Sequence, residues 1–86
     1  MDSVPVGKYK GNEIYLIEKG NQYYISFGGE NGHHYWLEAL NRIIQKQPEY
    51  TFTAMAENDV ELPVNMLELR PLIEEINRFI RIMLSK

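Results

Sequence analysis

The densest run of chemically useful side chains is Gly28-Gly29-Glu30-Asn31-Gly32-His33-His34-Tyr35-Trp36. Glycines ahead of a helix can turn backbone N–H groups toward an anion. His33, His34, Tyr35 and Trp36 could stack on a ligand or hydrogen-bond to it. The chemistry on offer is capture of a small anionic ligand such as a nucleotide, with Gly28, Gly29, His33, His34 and Tyr35 as the candidate contacts. The spacing matches neither a dinucleotide fingerprint nor a P-loop, the run holds no lysine or arginine, and Glu30 repels phosphate. The competing reading is a flexible strand-to-helix connection with Trp36 sunk in the core.

Metal and covalent chemistry have less to draw on. His33 and His34 are the two histidines, and neighbours on a helix point about 100° apart. His34 and Glu38 could offer two ligands, but a closed site needs more, so no bound metal is expected. Serines stand at 3, 26 and 85, and none carries a nucleophile motif. Glu74 with Glu75, and Asp59 with Glu61, are carboxylate pairs with nothing in the sequence to raise a pKa. Glu57, Asp59 and Glu61 lack the spacing of a calcium loop. The sequence therefore predicts a protein that is not an enzyme and holds no cofactor.

Composition narrows the setting. Eighty-six residues make one domain, 1–86, and 44% hydrophobic with 24% charged residues is ordinary globular content. A formal charge of −3 weighs against non-specific binding of nucleic acid, which works by neutralising phosphates. The absence of cysteine removes disulfides and thiolate chemistry and suits a reducing, cytoplasmic compartment. Met1 to Val6 lacks the pattern of a signal peptide. The apolar stretch from Leu72 to Leu84 is broken by charges and is not expected to span a membrane.

The elements that must position these residues can be read from turns and periodicity. Lys10-Gly11-Asn12-Glu13 and Lys19-Gly20-Asn21-Gln22 are near-copies nine residues apart, each followed by alternating apolar and aromatic residues. Glycine and asparagine tolerate the positive φ of tight hairpins, so a three-stranded meander is expected. Two-residue loops at Gly11-Asn12 and Gly20-Asn21 would set Tyr9 opposite Ile14 and Val6 opposite Ile17 in the first hairpin. In the second they would set Tyr15 opposite Ser26, Leu16 opposite Ile25 and Ile17 opposite Tyr24. The period of two then sorts the sheet. Tyr9, Ile14, Leu16, Tyr23, Ile25 and Phe27 take the core face, and Val6, Lys8, Tyr15, Ile17, Tyr24 and Ser26 the other. A first helix is predicted over Tyr35–Lys46, with Trp36, Leu37, Leu40, Ile43 and Ile44 on one stripe. Tyr50 to Ala56 reads as a fourth strand with Tyr50, Phe52 and Ala54 inward, then a turn and an extended run from Val60 to Pro63. Pro71 is expected to separate a short turn at 65–69 from a main helix running to Leu84, with Ile82 off its apolar stripe.

The predicted fold is α+β, in the order β-β-β-α-β-α, with two helices on a small antiparallel sheet. The second sheet face carries Tyr15, Ile17 and Tyr24. It is either covered by a helix, or a protein interface, or a stacking platform for nucleic acid. Lys8 stands almost alone among those aromatics, which weighs against the platform. The leading expectation is a non-catalytic interaction module, a regulator, inhibitor or adaptor, with a protein partner and a homodimeric state. Tyr15, Ile17, Tyr24 and Ile82 are its candidate interface residues.

Overall fold

Two tight turns set the first sheet. In the computed structural model, which describes residues 2–29 and 32–85, Lys10 and Gly11 have φ of 51° and 82°, and Gly20 and Asn21 have φ of 59° and 65°. Two consecutive positive φ values match the right-handed twist of the flanking strands. The hairpins they close are β1 (Asp2–Tyr9), β2 (Asn12–Lys19) and β3 (Gln22–Ser26). The second pairs Tyr15, Leu16 and Ile17 with Ser26, Ile25 and Tyr24, as expected.

The first turns one residue earlier than its sequence twin. Lys10-Gly11 is the loop, so Tyr9 faces Asn12, and the Asn12 amide donates to the Lys10 carbonyl at 3.2 Å. The register differs from expectation by two, which leaves Tyr9 and Ile14 on the core face. An irregularity between Pro5 and Gly7 then re-aims the start of β1, so that Ser3 faces Ile17 and Val6 packs toward the core instead of away from it.

His34–Trp36 forms a fourth strand, β4, on the outer edge of β3, where a helix start was expected. The helix α1 begins only at Leu37 and runs to Lys46. Its stripe of Leu37, Leu40 and Ile44 is buried, whereas Trp36 is only half-buried and lies outside the core. After α1, β5 (Thr51–Met55) and β6 (Glu61–Asn65) form a separate two-stranded sheet, so β5 is not a strand of the main sheet. Phe52 and Ala54 turn inward as expected, but Tyr50 is exposed and stacks on Phe52 at 6.2 Å. The observed order is β-β-β-β-α-β-β-α, an α+β arrangement of two helices and antiparallel sheets.

The last helix, α2, runs unbroken from Met66 to Leu84 with Pro71 inside it. Asn65 caps it by accepting from the Leu67 N–H at 2.8 Å. Proline inside a helix costs about 3 kcal/mol. Met66, Leu69, Ile73, Ile76 and Ile80 recur at helical spacing and are all buried, and at roughly 1.5–3 kcal/mol for each side chain that gain is on the order of 10 kcal/mol. Packing overrides the local break. The core joins these side chains to Ile14, Leu16, Ile25 and Phe27, which all stand on one face of the main sheet. Both helices therefore cover that face.

Candidate functional site

The opposite face is built by register. Ser3, Ile17, Tyr24 and Trp36 form one row across the four strands, and Pro5, Tyr15, Ser26 and His34 form the next. Tyr15, Tyr24, His34 and Trp36 are half-buried there. Three contacts involve the rings of Tyr24, His34 and Trp36. The Tyr24 hydroxyl donates to Gln22 Oε1 at 2.9 Å, the Tyr24 and His34 rings lie 6.4 Å apart, and the Arg42 guanidinium sits 5.3 Å from the Trp36 ring. Arg42 is held in turn by Glu38 at 2.9 Å. Ile17, expected as an interface contact, is fully buried within this face and offers no surface. Ile82, on α2, is 52% exposed.

At the Tyr15 end, the loop after β3 folds back across the face. Ser26 is fully buried, and its hydroxyl donates to the Gly29 carbonyl and accepts from the Gly28 N–H. The glycines here are needed for close approach. A β-carbon on Gly28 would stand 2.8 Å from the Met55 carbonyl oxygen, and one on Gly32 would stand 2.6 Å from the Gly28 nitrogen. Beside this loop opens a cleft of about 730 Å³, lined by Tyr15, Gly28, Gly29, Gly32 and His33 on one side and by Met55 to Asp59 on the other.

The predicted ligand residues converge only in part. Gly28, Gly29 and His33 line the cleft, but His34 points to the aromatic face. Tyr35 goes through to the other side, where its hydroxyl donates to the Thr53 carbonyl at 2.9 Å and its ring meets Phe27 and Phe52. Burial holds its pKa above the ordinary tyrosine value. The premise of an anion site also falls away, because the glycine loop leads into β4 and not into a helix N-terminus. The facing wall brings Glu57 and Asp59, and no lysine or arginine lines the cleft among the described residues. Among those residues there is also no cluster of three or more metal-ligating side chains.

Two parts of this surface escaped the sequence reading. Trp36 and His34 join the aromatic face because β4 is a strand, and three residues are too few for alternation to register as a pattern. In the wall, Met55 and Ala56 were legible as the end of a strand and Glu57 to Asp59 as a turn, but their approach to Tyr15 was not. Comparison with protein-family models, with curated proteins and with solved structures finds no match to this chain.

Proposed function

We propose that this protein is a non-catalytic interaction module, a regulator, inhibitor or adaptor that works by docking a partner protein on the outer face of its main sheet. The observation that carries the reading is the set of half-buried aromatics on the face opposite the helix-packed core, Tyr24 and Trp36 in one row and Tyr15 in the next, where α1 reaches the edge with Arg42 beside the Trp36 ring. A large aromatic side chain can bury about 150–250 Å², and a standard interface takes roughly 800 Å² from each partner. These rings and their surroundings supply the centre of such a patch. Tyrosine and tryptophan suit that place because an apolar body carries a polar tip. No helix among the described residues is long and apolar enough to cross a membrane, and the cysteine-free composition suits a cytoplasmic setting.

Self-association belongs to a second patch, at the edge of β1 and the end of α2. Val4, Phe79, Ile82 and Met83 are exposed there, 39–52% each, and Phe79 borders a groove with Val4, Pro5 and Val6. Contiguous exposed apolar surface marks interfaces, and a two-fold axis is the commonest way to bury it. Light scattering from nanomolar to high micromolar protein tests this. The expected result is a dimer at micromolar concentration that Ile82→Glu converts to a monomer with unchanged circular dichroism. A wild-type monomer at every concentration removes the homodimer and leaves the sheet face to a foreign partner.

A further inference from the structure

We infer that the partner docked on the outer face of the main sheet is a basic segment, an extended stretch of protein that lays apolar side chains across Tyr24 and Trp36 and sends an arginine or lysine into the neighbouring cleft. This rests on the reading of that face as a docking surface and adds the chemistry of the occupant. Tyr15 is the joint between the two regions, since it lies in the Pro5–Ser26–His34 row of the face and also lines the cleft. The apolar surface and the cleft are therefore one continuous site.

Charge selects what fills it. Glu57 and Asp59 are both exposed and line the far wall. A carboxylate oxygen of Glu57 lies 3.9 Å from where a β-carbon on Gly29 would stand, so it rests beside the glycine loop at the cleft. The ion pairs among the described residues join Lys10 to Glu68, Arg42 to Glu38, Arg70 to Glu74 and Arg78 to Glu75. None of them neutralises Glu57 or Asp59. A guanidinium or ammonium group entering beside Tyr15 gains charge-assisted hydrogen bonds and the face of a ring, while an anion meets repulsion from the same wall.

Spacing makes the inference specific. Successive rows on one sheet face are two residues apart, about 6–7 Å, and the cleft begins at the row next to Tyr24 and Trp36. An extended occupant anchored over Trp36 therefore reaches the acidic wall with a side chain two to four positions along. A free polyamine would use the cleft without touching Trp36.

Selection of randomised peptides displayed on phage against the full chain tests the inference, followed by titration of synthesised winners. Trp36 is the sole tryptophan and reports binding on the face by its emission. The expected winners carry arginine or lysine two to four residues from an aromatic or aliphatic one and shift Trp36 emission. A Glu57→Gln/Asp59→Asn double variant, with circular dichroism unchanged, should weaken them about tenfold or more. Winners with no basic preference, or with affinity that the double variant leaves unaltered, overturn the inference. If such peptides still require Tyr24 and Trp36, the docking face stands with a partner of other chemistry. Peptides indifferent to Tyr24→Ala and Trp36→Ala, or no retained peptide at all, count against both the inference and the face.

Discussion

The hydroxyl of Tyr9 joins three parts of the chain. It donates to Glu68 Oε2 at 2.7 Å and accepts from the Asn65 N–H at 3.2 Å, so β1 is tied to the end of β6 and the first turn of α2. Burial, and then the bond to Glu68, hold the Tyr9 pKa above its ordinary value, while the Tyr9 hydroxyl, and then the Lys10 ammonium, hold Glu68 below the usual carboxylate range. A lowered carboxyl stabilises the fold above its unfolded pKa, and that contribution is lost as pH falls through the folded pKa. A raised phenol contributes below its unfolded pKa, and that is lost as pH rises through the folded one. Tyr9→Phe removes both hydrogen bonds of the hydroxyl and is expected to lower stability at neutral pH. Denaturant unfolding should show the gap from wild type closing toward both acid and alkaline pH. A gap that does not vary with pH would show that the hydroxyl acts through packing alone. Alternation in the sequence was enough to place the Tyr9 ring in the core, where it is 6% exposed. The partners of its hydroxyl lie 56 and 59 residues away, and no local pattern encodes a bond of that span.

Between elements, the two helices are joined by an amide pair as well as by their apolar stripes. Asn77 donates to Asn41 Oδ1 at 3.0 Å, and Asn41 returns a longer contact to Asn77 Oδ1 at 3.5 Å, both side chains being half-buried. Removing one partner strands the other. Asn41→Ala should cost about 1 kcal/mol, and Asn41→Leu/Asn77→Leu less than the sum of the two single changes, since a half-buried amide left without its partner is only partly rehydrated. Thermal unfolding of the three variants checks this, and additive losses would mean that the amides act independently. Helical spacing made the stripes of α1 and α2 legible, and the repeated glycine-asparagine turns made the meander legible. What the sequence hid was decided by tertiary contact. Asn12 closes the first turn at Lys10-Gly11, the buried stripe carries α2 through Pro71, and pairing with β3 draws His34–Trp36 into a strand.

At the scale of the whole molecule, both helices pack on one side of the main sheet, and the other side carries its own aromatics, with Arg42 of α1 reaching it beside Trp36. The repeat that builds the meander thus also builds the surface carrying Tyr15 and Tyr24, with Trp36 added by β4. The candidate site was legible as to which tyrosines share a face. Its junction with the cleft was not, because β5 and β6 form their own sheet and bring Glu57 and Asp59 in from a distant part of the chain. Sheet face and α2 patch meet at Pro5, but Tyr24 stands on β3 and Ile82 near the end of α2, so one substitution in each can be compared with the other. Native mass spectrometry of the wild-type chain, Tyr24→Glu and Ile82→Glu, each purified from the source cells, tests the docking face most directly. The expected result is a stoichiometric foreign chain on wild type and on Ile82→Glu that is missing from Tyr24→Glu. A foreign chain retained equally by Tyr24→Glu, or a wild-type chain that carries none, would contradict it.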